Sequence, residues 1–171
     1  MDERAIPIIS KFLTIKQLSP ILSCSKSMRP TDYDLRAING IFYRDGTIMQ
    51  NTVFSKSWFY EGKLHRDHDQ PARIFHQTGT KEWYKHGKKH RDTDKPAYIS
   101  SYTKSIVFYK EGLVHRDNGP ALIIEGEREM WYKENTIHNG YDHPAAIIYQ
   151  AHNRIRREWW NDGKYLKMEV A

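Results

Sequence analysis

Cysteine is almost missing from this 171-residue chain: Cys24 stands alone, so no disulfide can form within it. A single thiol fits a reducing compartment and removes a disulfide framework as a source of stability. No apolar run approaches the roughly 20 residues that a membrane-crossing helix needs. The opening Met1-Asp2-Glu3-Arg4 is acidic where a secretory leader would be basic, and no small-residue cleavage site follows. Blocks of like charge are absent as well. The net charge is +6; residues 1–40 hold six Lys/Arg and four Asp/Glu, which places +2 there and +4 on the remainder. So diffuse an excess permits an acidic or nucleic-acid partner without selecting one. Apolar residues make up 39% and aromatics 13%, so aromatic rings must carry much of the burial.

What the chain does have is a repeat. Two aromatics, two polar residues, Gly or Asn, two spacers, His, a polar turn and Pro-Ala recur along most of its length. Aligned on the Gly or Asn position, the copies centre on Gly46, Gly62, Gly87, Gly112, Asn135 and Gly163. The aromatic pairs are Phe42/Tyr43, Trp58/Phe59, Trp83/Tyr84, Phe108/Tyr109, Trp131/Tyr132 and Trp159/Trp160. His65, His90, His115 and His138 follow, then Pro71, Pro96, Pro120 and Pro144, which are spaced 25, 24 and 24 residues apart. The first copy is worn, with Met49 in place of His, and the last has Leu166 there. Clean middles with degraded ends are what a capped array predicts.

Each unit reads as strands. Adjacent aromatics such as Trp83 and Tyr84 point to opposite faces of a strand, and the short apolar stretches are bounded by turn formers such as Thr78-Gly79 and Glu125-Gly126. The Gly position follows a strand and a polar step, where positive φ is expected; Asn135 is the one non-glycine there, and asparagine tolerates that region. Two strands per unit advance a sheet by about 10 Å. The expectation is an elongated antiparallel sheet of β-hairpins, one sheet thick, over residues 37–171. Trp58, Trp83, Phe108, Trp131 and Trp159 form its core column, with turns at Gly62, Gly87, Gly112 and Asn135. Phe59, Tyr84, Tyr109, Tyr132 and Trp160 form a second column, which a single sheet leaves open to a partner.

Residues 1–36 differ. Ile6, Ile9, Phe12, Leu13, Leu18, Ile21 and Leu22 recur at helical spacing, Thr14 can cap a helix, and Pro20 suits a first turn. The expectation is a small helical head, with Ile9, Phe12, Leu13, Leu18 and Leu22 as its docking face. The segment resembles a degenerate F-box in Ile6-Pro7, Phe12-Leu13-Thr14, Leu18, Leu22, Ser25-Lys26 and Met28-Arg29. That resemblance implies an adaptor bound to a ubiquitin-ligase linker protein; the alternative is a cap over the end of the array.

The unit itself resembles the MORN repeat, and in particular its divergent form in giant DNA viruses, Trp-Tyr-x-x-Gly-x-x-His-Arg-Asp-x-Gly-Pro-Ala. Here that pattern reads Phe108-Tyr109-Lys110-Glu111-Gly112-Leu113-Val114-His115-Arg116-Asp117-Asn118-Gly119-Pro120-Ala121. It departs at both ends and at Asn139-Gly140, which replaces Arg-Asp. The resemblance implies a non-enzymatic scaffold that docks partners or associates with itself: a minor capsid or virion-associated component of a large DNA virus, found in the virion and the host-cell cytoplasm.

His-Arg-Asp recurs at residues 65–67, 90–92 and 115–117. A kinase loop carries those letters once, with a metal-binding Asn and a glycine-rich loop that are missing here. A structural role is expected, with Asp capping a turn and Arg solvated or paired to a neighbouring unit's acid. Nine histidines raise the question of metal, but His65, His90, His115 and His138 would sit about 10 Å apart. Only His65 with His68, or His138 with His143, could make a weak pair, so neither a metal nor a cofactor is expected. Nucleic acid could use Arg66, Arg91 and Arg116 as a basic row, yet an Asp follows each. The tyrosine column is expected to meet protein or a lipid headgroup layer.

Overall fold

The computed structural model describes Ala5–Ile6, Asn39–Tyr43 and residues 47–171. The helical head expected over residues 1–36 lies outside these residues except at Ala5–Ile6, a two-residue strand paired with Asn39–Tyr43. The docking face of Ile9, Phe12, Leu13, Leu18 and Leu22 falls outside them entirely.

The described chain is mainly β, as the alternating pattern demanded, and its strands are antiparallel hairpins laid side by side in chain order. Each full unit adds two strands to one long sheet: Arg73–Phe75 with Lys81–Glu82, Tyr98–Ser100 with Ser105–Val107, Leu122–Ile124 with Arg128–Met130, and Ala146–Tyr149 with Ile155–Asn161. Each proline stands just ahead of the first strand of its pair, where no ladder donor is required. A 3-10 turn at Ala151–Asn153 fills the longer loop before the last strand pair.

The array is not one continuous sheet. At Trp83, Phe108 and Trp131 the strand leaves the long sheet, and the next residues pair as separate small hairpins: Tyr84–Lys85 with Lys88–Lys89, Tyr109–Lys110 with Leu113–Val114, and Tyr132–Lys133 with Thr136–Ile137. The break has a backbone reason. Each of these aromatics donates its N–H to the alanine after the unit's proline, Ala97, Ala121 or Ala145, at 2.8–2.9 Å, and its carbonyl accepts from the unit's histidine N–H at 3.1–3.2 Å. One residue is thus shared between two ladders, and the chain turns a corner there. Periodicity shows that two aromatics face opposite ways; it does not show that the sheet divides between them.

The hairpin turns carry the expected conformation. Gly62, Gly87, Gly112, Asn135 and Gly163 all have φ between 65° and 89°, and the residue before each is positive as well, from Glu61 at 48° to Asp162 at 46°. Two successive positive φ values are the mark of the two-residue type I′ turn, whose twist matches a hairpin. Neighbouring small hairpins are tied through their backbones: the N–H of Gly87, Gly112, Asn135 and Gly163 donates to the carbonyl of Leu64, Lys89, Val114 and Ile137 of the unit before.

The core is a line of large and small residues in alternation. Trp58, Trp83, Phe108 and Trp159 are buried, and the neighbouring strands place Ala72, Ala97, Ala121 and Ala145 beside the aromatics with no exposed surface at all. A methyl group is what leaves room for an indole on the adjacent strand. The worn first copy solves the same problem differently: Met49 is buried directly opposite Trp58. At the far end the corner is lost. Ile155–Asn161 and Lys164–Val170 form one long hairpin with a bulge at Trp159/Trp160, and the outer strand is exposed along its whole length.

Candidate interaction surface

The His-Arg-Asp triplets sit where each small hairpin returns to the long sheet, and all three residues are engaged. The histidine Nδ1 accepts the backbone N–H of the next unit's turn: His65 from His86 at 3.2 Å, His90 from Glu111 at 3.1 Å, His115 from Glu134 at 3.3 Å and His138 from Asp162 at 3.2 Å. An accepting Nδ1 assigns the ring proton of His65 and His115 to Nε2, and Nε2 faces Asp67, Asp92 and Asp117 at 2.9–3.3 Å in the three complete triplets. The Glu111 and Asp162 carboxylates also approach Nδ1 of His90 and His138, at 3.0 and 2.9 Å. His65 additionally stacks on His86, with ring centroids 4.4 Å apart. The His is therefore a joint between units.

The arginine does two things. Its guanidinium lies flat on its own unit's aromatic ring: Arg66 on Trp58, Arg91 on Trp83 and Arg116 on Phe108, at 3.8–3.9 Å from ring centre. Its Nη1 donates to the carbonyl of Pro71, Pro96 or Pro120. Arg91 and Arg116 also reach back one unit, Arg91 to both oxygens of Asp69 and Arg116 to both oxygens of Asp94. Bidentate geometry makes these the strongest surface pairs available. The expectation of pairing to a neighbouring unit's acid holds; the stacking on tryptophan was not foreseen. The basic row that nucleic-acid binding would use is folded down onto aromatic rings.

The fourth unit shows what the arginine is for. Asn139 replaces it and keeps the bond to the proline carbonyl, donating from Nδ2 to Pro144 at 2.7 Å. It is too short to cover the ring, and Trp131 is the one member of the column that is only half-buried. The acid one unit back is gone as well, since the loop before Pro120 is one residue shorter and carries Asn118-Gly119 there. At this joint arginine and acid are absent together. In the last unit Lys167 comes from the outer strand instead and lies 4.3 Å over Trp159.

The Arg91 and Lys95 hydrogen bonds hold the Asp69 carboxyl far below the usual carboxylate range, and Arg116 lowers Asp94 in the same way. A carboxylate depressed in the folded state adds stability above its unfolded pKa near 4, and that stability is lost as pH falls through the folded value. Asp69→Asn is accordingly expected to lower stability at neutral pH by about 0.2–1 kcal/mol per ion pair, since the pairs are partly exposed. Melting curves taken from about pH 7 down to pH 2 should show the two proteins converging in acid. A constant gap would mean that Asp69 acts through packing alone.

The second aromatic column is not an open face. Phe59, Tyr84, Tyr109, Tyr132 and Trp160 are each half-buried. The Tyr84 hydroxyl donates to Glu82 at 3.2 Å, Tyr132 reaches the Met130 sulfur at 3.9 Å, and Trp160 Nε1 donates to Glu158 at 3.1 Å. Lys89 joins Glu82 at 2.8 Å and lies 5.2 Å over the Tyr109 ring. Burial, then the Glu82 charge, raises the Tyr84 pKa; burial raises that of Tyr132. Burial opposes the charge on Lys89, but the Glu82 hydrogen bond and charge override it and hold its pKa above the ordinary lysine value.

Three grooves of about 310, 230 and 350 Å³ recur between successive triplets, the last beside Trp131, His138 and Asn139. Their walls are the same joints just described. Among the described residues, no three His, Cys, Asp or Glu side chains come together as a metal site, and no helix is long and apolar enough to cross a membrane. The large apolar side chains most open to solvent lie elsewhere, on loops and on the outer strand: Val53 at 87%, Phe54 at 74%, Tyr102 at 78% and Tyr141 at 69% exposed. A pattern read for periodicity passes over them because they belong to no period. Comparison with protein-family models and with curated protein sequences finds no match for the chain.

Proposed function

We propose that this chain is a non-enzymatic interaction scaffold, a structural component of a large DNA virus particle. One observation carries the reading. The only chemistry-bearing cluster that the sequence repeats, His-Arg-Asp, has its imidazole, guanidinium and carboxylate engaged in joining one unit to the next. A catalytic base needs reach to a substrate and a partner that tunes it; these groups are occupied by backbone, ring and neighbouring charge. What remains for function is shape and surface. A stiff row of hairpins with isolated exposed aromatics at its loops suits docking more than chemistry. The viral placement rests on the resemblance of the Phe108–Ala121 unit to the divergent MORN pattern.

Quantitative mass spectrometry of purified virus particles against infected-cell lysate tests the proposal. Enrichment in particles at a fixed ratio to the major shell protein is the expected result. Abundance in lysate with depletion from particles would overturn the structural role and favour an adaptor acting through residues 1–36.

A further inference from the structure

We infer that the outer strand Lys164–Val170 is a self-pairing edge, joining two copies of this chain into one continuous sheet. It deepens the scaffold reading by naming one partner, a second copy, and it does not depend on particle association.

The strand pairs with Ile155–Asn161 on one side only, and all seven residues are exposed. Tyr165, Leu166, Met168 and Val170 show 37–48% of their surface. Ile155 and Ala171 exchange both backbone hydrogen bonds, at 2.8 and 2.9 Å. Antiparallel pairs alternate between bonded and non-bonded positions, so the N–H and C=O groups of Val170 and Met168 point away from the neighbouring strand. Among the described residues no strand lies opposite them, which leaves a template for a further strand.

The side chains select which strand. A two-fold axis through Met168 sets Met168 against its own copy, Leu166 against Val170 of the second copy, and Lys167 against Glu169 of the second copy, each of the last two pairs occurring twice. Apolar meets apolar and cation meets anion along the whole contact, the pairings that stabilise neighbouring strands. Moving the axis one residue either way sets Lys167 against Lys167 or Glu169 against Glu169, and directly opposed like charges are destabilising. The register centred on Met168 satisfies both charge and backbone, and being two-fold it closes as a dimer instead of growing a fibre. The contact is small, so the dimer depends on concentration.

Sedimentation of the full chain across a dilution series should show a species rising from 20.3 kDa towards twice that mass. Lys167→Glu and Glu169→Lys should each weaken the dimer by about tenfold or more, as attraction becomes repulsion at two symmetric positions. Mixing the two variants should restore pairing, because each supplies the charge that the other lacks; the double variant Lys167→Glu/Glu169→Lys should also pair. Both single changes break the Lys167–Glu169 contact of 2.8 Å within one copy equally, so a merely structural role cannot produce rescue on mixing. Met168→Pro removes an N–H that the intrachain ladder does not use and should give a monomer with unchanged circular dichroism. A wild-type chain that stays at monomer mass throughout, a mixture that fails to pair, or a Met168→Pro protein that still dimerises would each overturn the inference.

Discussion

Trp83→Ala is expected to cost about 3–5 kcal/mol, the loss typical of a buried large aromatic cut to a methyl group. Trp83 is 7% exposed and sits mid-array. Its ring is covered by Arg91, its Nε1 donates to the Asp69 carbonyl at 3.1 Å, and its backbone is the corner shared by two ladders. Removing the ring leaves Arg91 lying on nothing and opens space beside Ala97. Trp131→Ala should cost distinctly less, because that ring is already half-exposed and no arginine covers it. Urea unfolding followed by circular dichroism would measure both. Equal losses at the two sites would show that the arginine cover contributes nothing beyond the area it hides.

Enlarging the small partner should be nearly as damaging. Ala97 has no exposed surface, donates to the Val107 carbonyl at 3.0 Å and accepts from Trp83 N–H at 2.8 Å. Its backbone is pinned on both sides, so a larger side chain cannot be relieved by moving the strand. Ala97→Leu is expected to destabilise by about 1–3 kcal/mol or somewhat more, as overpacked cores do. Tyr102→Leu, at a site 78% exposed, should stay within about 0.5 kcal/mol of wild type. Melting temperatures of the two, with near-ultraviolet dichroism to follow the tryptophan column, would show whether the alternation of ring and methyl group is a packing requirement. A silent Ala97→Leu would mean that the units can spread apart.

Both effects follow from how an array is held together. Each unit touches only its neighbours, so stability is a sum of unit and interface terms. The interface here combines backbone bonds between small hairpins, one histidine joint and, where the sequence supplies it, one Arg–Asp pair. The unit with Asn139 at the arginine position keeps the bond to its own proline carbonyl and the backbone and histidine bonds to its neighbours, and lacks the Arg–Asp pair and the ring cover.

Much of this was legible in the sequence, for particular reasons. Period-two alternation gave hairpins. The Gly62, Gly87, Gly112, Asn135 and Gly163 series gave the positive-φ turns, because only glycine and asparagine enter that region cheaply. The aromatic column Trp58, Trp83, Phe108, Trp131 and Trp159 was readable as a core. One further signal was present and unread: Asp69 and Asp94 precede Arg91 and Arg116 by the same 22 residues, the spacing of an ion pair between units.

By itself, then, the chain's order of residues determined the repeat, its turns and the burial of one aromatic column, since each depends on local backbone preference and side-chain period. Only the tertiary structure decided that the strands turn a corner at Trp83, Phe108 and Trp131, because that corner depends on one residue's N–H and C=O being claimed by two different ladders. The tertiary structure also decided the half-burial of Tyr84, Tyr109 and Tyr132 and the folding of the arginines onto rings. The free edge at Lys164–Val170 is likewise a matter of what lies beside a strand, and no period along the chain records its neighbours in space.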